Sequence, residues 1–131
     1  PFLAEMPDRF YDWVILSRTV QELQEPARII MESLRVGRHL VVGFVNHAFW
    51  LNRTAMLLTG SRVTNDVFPL SWEDGSPYNP VTVDGFEAFC AKERLTINRR
   101  LYLRGDWQTP CRLLPNLRAG YALYELEAGC L

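Results

Sequence analysis

The amino-acid sequence predicts an α/β fold, and three observations predict it. Two apolar runs of strand-forming residues, 10–17 and 39–45, are separated by a segment with helical periodicity. Two further strand-like segments, 95–103 and 121–126, follow without a helical pattern between them. A strand, a helix and a strand in close succession form a βαβ unit with parallel strands, whereas a connection without a helix favours an antiparallel pair.

The first strand is the run that contains Trp13, Val14, Ile15 and Leu16. Such a nearly continuous series of apolar residues is typical of a central parallel strand that is buried on both faces. The run lies near the start of the chain, so we expect its outer edge to need a covering strand. Either upstream residues or a partner would supply that strand.

The next two elements have recognisable ends. Glu25 and Pro26 suit the first turn of a helix, and Gly37 suits its end. The second strand, 39–45, ends at Asn46. A further helix is predicted over 48–59, closed by Gly60, and its expected inward residues are Ala48, Leu51, Ala55 and Leu58.

A long connection, 61–81, separates that helix from the last one, and its length is typical of a functional loop. Asp84 and Glu87 have the spacing of a capping box, which predicts a helix as far as Glu93. Its expected inward residues are Phe86, Phe89 and Cys90. The complete order is therefore β-α-β-α-loop-α-β-β.

Composition excludes several classes of protein. The 131 residues are 48% hydrophobic and 22% charged, which predicts one globular domain. A net charge of -1 argues against nucleic acid and anionic membranes as partners, and no apolar run is long enough to span a bilayer. Three cysteines without a CxxC pair favour a reducing, cytoplasmic setting. Neither the two histidines nor the cysteines have the spacing of a metal site.

Several segments, in order, resemble the MetW family of methionine-biosynthesis proteins. They are YDWVILSRTVQEL with Pro26, LRVGRHLVVGFVN with Trp50, FPLSW with Asp74, and TVDGFEAFC. The resemblance covers most of the chain and implies the carboxyl-terminal part of a Rossmann-like class I methyltransferase fold. That part would be a three-layer αβα arrangement with strands in the order 4, 5, 7, 6 and an antiparallel terminal strand.

The resemblance also implies S-adenosylmethionine as cofactor, yet the glycine-rich turn that would hold it is not in this chain. No Gly-x-Gly pattern occurs anywhere in the sequence. We therefore interpret 1–131 as a single methyltransferase-like domain whose amino-terminal cofactor-binding half is absent. The histidines that follow the family's second strand and its acidic loop are also missing, although His47 lies two positions from the first of them.

Two groups of residues are candidates for the site. Ser17, Arg18 and Thr19 follow the first strand, and ligands of open α/β sheets bind at the carboxyl ends of the strands. We predict that they line the cofactor site, with a polar strand-to-helix turn as the alternative. The predicted substrate-binding residues are Asn46, His47, Trp50, Trp72 and Asp74. For His47 the alternatives are a general base and a solvent-exposed or helix-capping residue, and for Asn46 a substrate contact and a helix cap. For the aromatic loop they are a lid and a structural anchor.

Two functions follow from the resemblance. The first is a methyltransferase that moves a methyl group from S-adenosylmethionine to a small substrate, a reaction that mainly requires the two reactants to be held in line. The second is a non-catalytic partner or activator of a homoserine O-acyltransferase. Whether the chain is an enzyme is therefore left open by the sequence, as is its oligomeric state.

Overall fold

The structure is a computed structural model, and it describes residues 3–17, 19–20, 23–60, 80–106 and 108–128. A short 3-10 turn, Leu3–Glu5, precedes the main elements. The strands and helices, numbered in chain order, are β1 (Tyr11–Ser17), α1 (Pro26–Val36), β2 (Gly37–Val45), α2 (Trp50–Thr59), α3 (Val83–Lys92), β3 (Thr96–Leu103), α4 (Pro115–Arg118) and β4 (Tyr121–Glu127).

The four strands form one sheet in the order β1-β2-β4-β3. Strands β1 and β2 are parallel, with Val14 opposite Leu40, whereas β4 is antiparallel to both β2 and β3. This is the predicted order 4, 5, 7, 6 with a reversed terminal strand, so the predicted α/β fold class is confirmed.

One face of the sheet carries the main core. Alternate residues of β2 and β4, among them Leu40, Phe44 and Tyr124, are buried against α1 and α3. Ile30 and Leu34 come from α1, which begins at Pro26 as predicted. The rings of Phe44, Phe86 and Tyr124 lie within 4.7–6.0 Å of one another, measured between centroids. The other face has a smaller cluster of Val45 and Tyr121, against which Ala55 of α2 packs.

The prediction that β1 is buried on both faces is wrong. Val14 and Leu16 pack against the main core, but the alternate residues Trp13 and Ile15 are 52% and 67% exposed. Strand β1 lies at the edge of the sheet, and no described residue pairs with its outer edge. A continuous apolar run shows that both faces of the strand suit an apolar environment. Whether each face is buried depends on which other elements pack against it in the folded protein.

Two helix predictions need correction. Helix α2 begins at Trp50, so Ala48 precedes it, and Leu51 and Leu58 are 42% and 82% exposed instead of inward. The predicted end is right, because Gly60 takes a left-handed conformation (φ 66°) that favours glycine.

Helix α3 is capped by Thr82 instead of Asp84. The Thr82 hydroxyl accepts the backbone N–H of Gly85 at 2.9 Å. Glu87 points away from the helix start and pairs with Arg100 on β3 at 2.7 Å. The inward positions of Phe86, Phe89 and Cys90 are confirmed.

Candidate functional site

The carboxyl ends of β1 and β2 lie side by side at one end of the sheet, here called the carboxyl edge. Ser17, the last residue of β1, is in register with Gly43 of β2. Asn46 and His47 follow β2 directly. The parallel pairing thus brings the two predicted groups, one after each strand, to the edge at which open α/β sheets bind ligands.

Two of the three predicted cofactor-binding residues are described. Ser17 is exposed, and Thr19 is half-buried. The Thr19 hydroxyl donates to the carbonyl oxygen of Ser17 at 3.0 Å, so the turn after β1 is held by its own side chain. Arg18 lies outside the described residues. A cofactor contact for all three stays a prediction.

Tyr121 belongs to this edge and was missed from the sequence. Its phenol oxygen lies 3.4 Å from the Ser17 hydroxyl. Its ring passes over Gly43, where an added Cβ would lie 3.0 Å from Tyr121 Cζ and 2.7 Å from Leu123 Cδ2. The signal in the sequence is a glycine inside an apolar strand, which often marks a close approach of another group.

Asn46 is fully buried and connects three segments of the chain. Its amide nitrogen donates to the backbone carbonyls of Asn116 (3.0 Å) and Ala119 (2.8 Å). Its side-chain oxygen accepts the N–H groups of Ala48 and Val83, both at 3.2 Å. These bonds fix the start of α3 and the α4 turn to the end of β2. The predicted contact between Asn46 and a substrate stays a prediction.

Asn52 supports the same turn and gave no signal in the sequence. It is 2% exposed, and its amide nitrogen lies 3.4 Å from the carbonyl oxygen of Asn46 and 3.3 Å from that of His47. Because it occupies one position of a helix whose pattern is mostly apolar, only the tertiary structure shows which groups it meets.

His47 is half-buried beside the segment that leads into the amino-terminal end of α3. Its backbone N–H donates to the carbonyl oxygen of Val81 at 2.9 Å. Burial lowers the pKa of its imidazole below the ordinary value, since desolvation disfavours the charged form. The side chain is therefore neutral at neutral pH, the form that can accept a proton.

The remaining predicted substrate residues are only partly described. Trp50 begins α2 and is 47% exposed, with its ring centroid 6.1 Å from that of Phe49. Trp72 and Asp74 lie outside the described residues. Cys90 is buried in the core, and burial raises the pKa of its thiol to about 11, so it stays protonated.

Within the described ranges, no group of three or more His, Cys, Asp or Glu side chains could hold a metal ion. Of the helices in this part of the chain, none is long and apolar enough to cross a membrane.

A solved structure defines the class of this fold. The chain is similar to a SAM-dependent methyltransferase from Thermotoga maritima, described as a possible histamine N-methyltransferase, with a TM-score of 0.60 and 13% sequence identity. The similarity covers 95% of this chain and 58% of the other. The fold is therefore that of a class I, Rossmann-like methyltransferase, of which this chain spans somewhat more than half.

The family follows from the sequence match. The model of the family described as "Methionine biosynthesis protein MetW" matches residues 2–126, and the chain belongs to that family. A curated relative, the bifunctional methionine biosynthesis protein MetXA/MetW of Rhodopirellula baltica, is 40% identical over 42 residues. That match covers 32% of this chain and 7% of the relative.

Proposed function

We propose that this chain forms the carboxyl-terminal flank of an S-adenosylmethionine site in a MetW-type methyltransferase. The observation that carries the proposal is the polar edge at the ends of β1 and β2, where Ser17 is in register with Gly43. In a sheet of this kind, that edge is the ligand-binding edge.

The residues present suit one flank of the cofactor. Hydroxyl groups of Ser17, Thr19 and Tyr121 lie together there and can exchange hydrogen bonds with polar groups of a ligand. A glycine-rich turn, which lets the backbone approach the ligand closely, is not among the 131 residues. In this proposal, chain outside 1–131 forms the second flank.

When bound, S-adenosylmethionine supplies an activated methyl group for transfer. The chain's own residues hold the acceptor and remove its proton. His47, neutral because it is partly buried, is the candidate proton acceptor. Asn46 positions His47 by fixing the turn after β2. Trp50, Trp72 and Asp74 complete the proposed acceptor-binding group.

The coding sequence upstream of Pro1 tests this proposal cheaply. We expect an apolar strand followed directly by a Gly-x-Gly turn, with an acidic residue at the end of the next strand. A sequence without such a turn would remove the donor site and, with it, methyl transfer as the function.

The curated relative favours a second candidate function. Its name joins MetXA and MetW in one bifunctional protein. In this alternative the chain binds and activates a homoserine O-acyltransferase without transferring a methyl group. The proteins should then co-purify, and acyltransferase activity should rise equally with wild-type chain and with a Thr19→Val variant. An acyltransferase that neither binds nor responds would eliminate this alternative.

A further inference from the structure

A cavity of about 300 Å³ lies between the amino-terminal ends of α1 and α3. Its volume is at the lower end of the range for small-molecule sites. The wall consists mainly of apolar side chains, including Val20, Pro26, Ile30, Val81, Phe86 and Phe89.

The chemistry of the wall selects an apolar ligand. Of the described residues that line it, none is charged, and Thr82 is the one whose side chain has a polar atom. The Thr82 hydroxyl already accepts the N–H of Gly85 at 2.9 Å. Val20, Ile30 and Phe86 are at most 4% exposed and belong to the main core, so packing fixes this part of the wall. A charged ligand group would lose its hydration here without a compensating charge on the described part of the wall.

The position of the cavity connects it with the proposed site. Val20 directly follows Thr19, and the carbonyl oxygen of Val81 accepts the N–H of His47. One wall therefore continues from the predicted cofactor residues, and the opposite wall is bonded to the candidate proton acceptor. Asn46 holds that second wall in place through its bond to the N–H of Val83.

We infer that this cavity binds the uncharged aliphatic or aromatic part of the methyl acceptor. The identity of the ligand as a methyl acceptor rests on the proposed function, but binding of a small apolar group rests on the cavity alone. A small hydrocarbon is a suitable probe, because it can bury apolar surface against this wall and carries no charge to desolvate.

The test is a titration of the whole protein with toluene, with benzoate as the charged control, followed by methyl NMR. Toluene should shift the methyl resonances of Val20, Ile30 and Val81 saturably, and benzoate should not. Ala27 lines the cavity and is exposed, so Ala27→Leu fills the space without disturbing the core. This variant should weaken toluene binding about tenfold or more.

Ala91→Leu is the matched control, because Ala91 is an exposed residue of α3 outside the cavity lining. It should bind toluene as the wild type does, and Ala27→Met serves as a second filled variant. Absent shifts, or Ala27 variants that bind like wild type, would overturn the inference. Binding of toluene but not of S-adenosylhomocysteine would establish the cavity and refute the proposed function. Binding of S-adenosylhomocysteine but not of toluene would refute ligand binding in the cavity and leave the proposed function intact.

Discussion

At the scale of single residues, Asn46 shows how far a pattern can predict a role. A polar residue directly after a buried strand was recognisable as a key position in the sequence. Its distant backbone partners could not be predicted, since Asn116 and Ala119 lie 70 and 73 positions away along the chain. Long-range hydrogen bonds of this kind depend on the finished fold.

Replacing Asn46 with alanine should lower the free energy of unfolding by about 3 kcal/mol or more, because several buried backbone groups lose their partners. Urea unfolding measures the loss. Asn98→Ala is the control, since Asn98 is exposed on β3 and should change stability by less than about 0.5 kcal/mol. Equal stabilities of the two variants would contradict the role assigned to Asn46.

The ring of Tyr121 explains why position 43 is a glycine. A Gly43→Ala variant should lose about 1–3 kcal/mol of stability, because the new methyl group would meet Tyr121 and Leu123. In a Tyr121→Leu background the same substitution should cost clearly less, since the ring is gone. A double-mutant cycle by urea unfolding measures this coupling, and additive costs would show that Tyr121 does not occupy the space over Gly43.

The depressed pKa of His47 predicts a pH dependence of stability. The unfolded protein binds a proton at His47 near the ordinary pKa of about 6.5, whereas the folded protein resists it. The neutral imidazole therefore makes its full contribution to the free energy of unfolding above about pH 6.5. That contribution is lost as the pH falls through the lower pKa of the folded state. Stability measured from about pH 7.5 to about pH 5.5 should decline less in His47→Gln than in wild type. Identical slopes would contradict the burial of this imidazole.

At the scale of elements, the sequence predicted the existence of the strands and main helices better than their ends. The start of α3 is the clearest case, since both Thr82 and Asp84 have cap-forming side chains. Local pattern could not choose between them, because the choice depends on where Asn46 and Asn116 bind the first N–H groups of α3. The four-residue helix α4 gave no periodic signal at all.

Capping by Thr82 predicts a specific order of stabilities. Thr82→Ala should cost about 1 kcal/mol, and Thr82→Ser should retain most of that stability because serine also supplies a hydroxyl acceptor. Asp84→Ala should cost only a few tenths of a kcal/mol, through the helix dipole. Thermal unfolding of the three variants makes the comparison. A larger loss of stability for Asp84→Ala than for Thr82→Ala would show that Asp84, and not Thr82, caps the helix.

At the scale of the whole molecule, the strand order was predicted correctly although no local pattern contains it. Periodicity gives strands, but the position of β4 between β2 and β3 came from the family resemblance. The exposure of one face of β1 was not predicted, because burial depends on which chain covers the sheet. The proposed cofactor role of Ser17, Arg18 and Thr19 likewise depends on the complete site.

The most direct measurement of that role is calorimetric titration of the full-length protein with S-adenosylhomocysteine. We predict saturable binding that Thr19→Val weakens about tenfold and that Thr96→Val, an exposed threonine on β3, leaves unchanged. No heat of binding at millimolar ligand, or equal affinities for both variants, would contradict the assignment of the carboxyl end of β1 as one flank of a methyl-donor site.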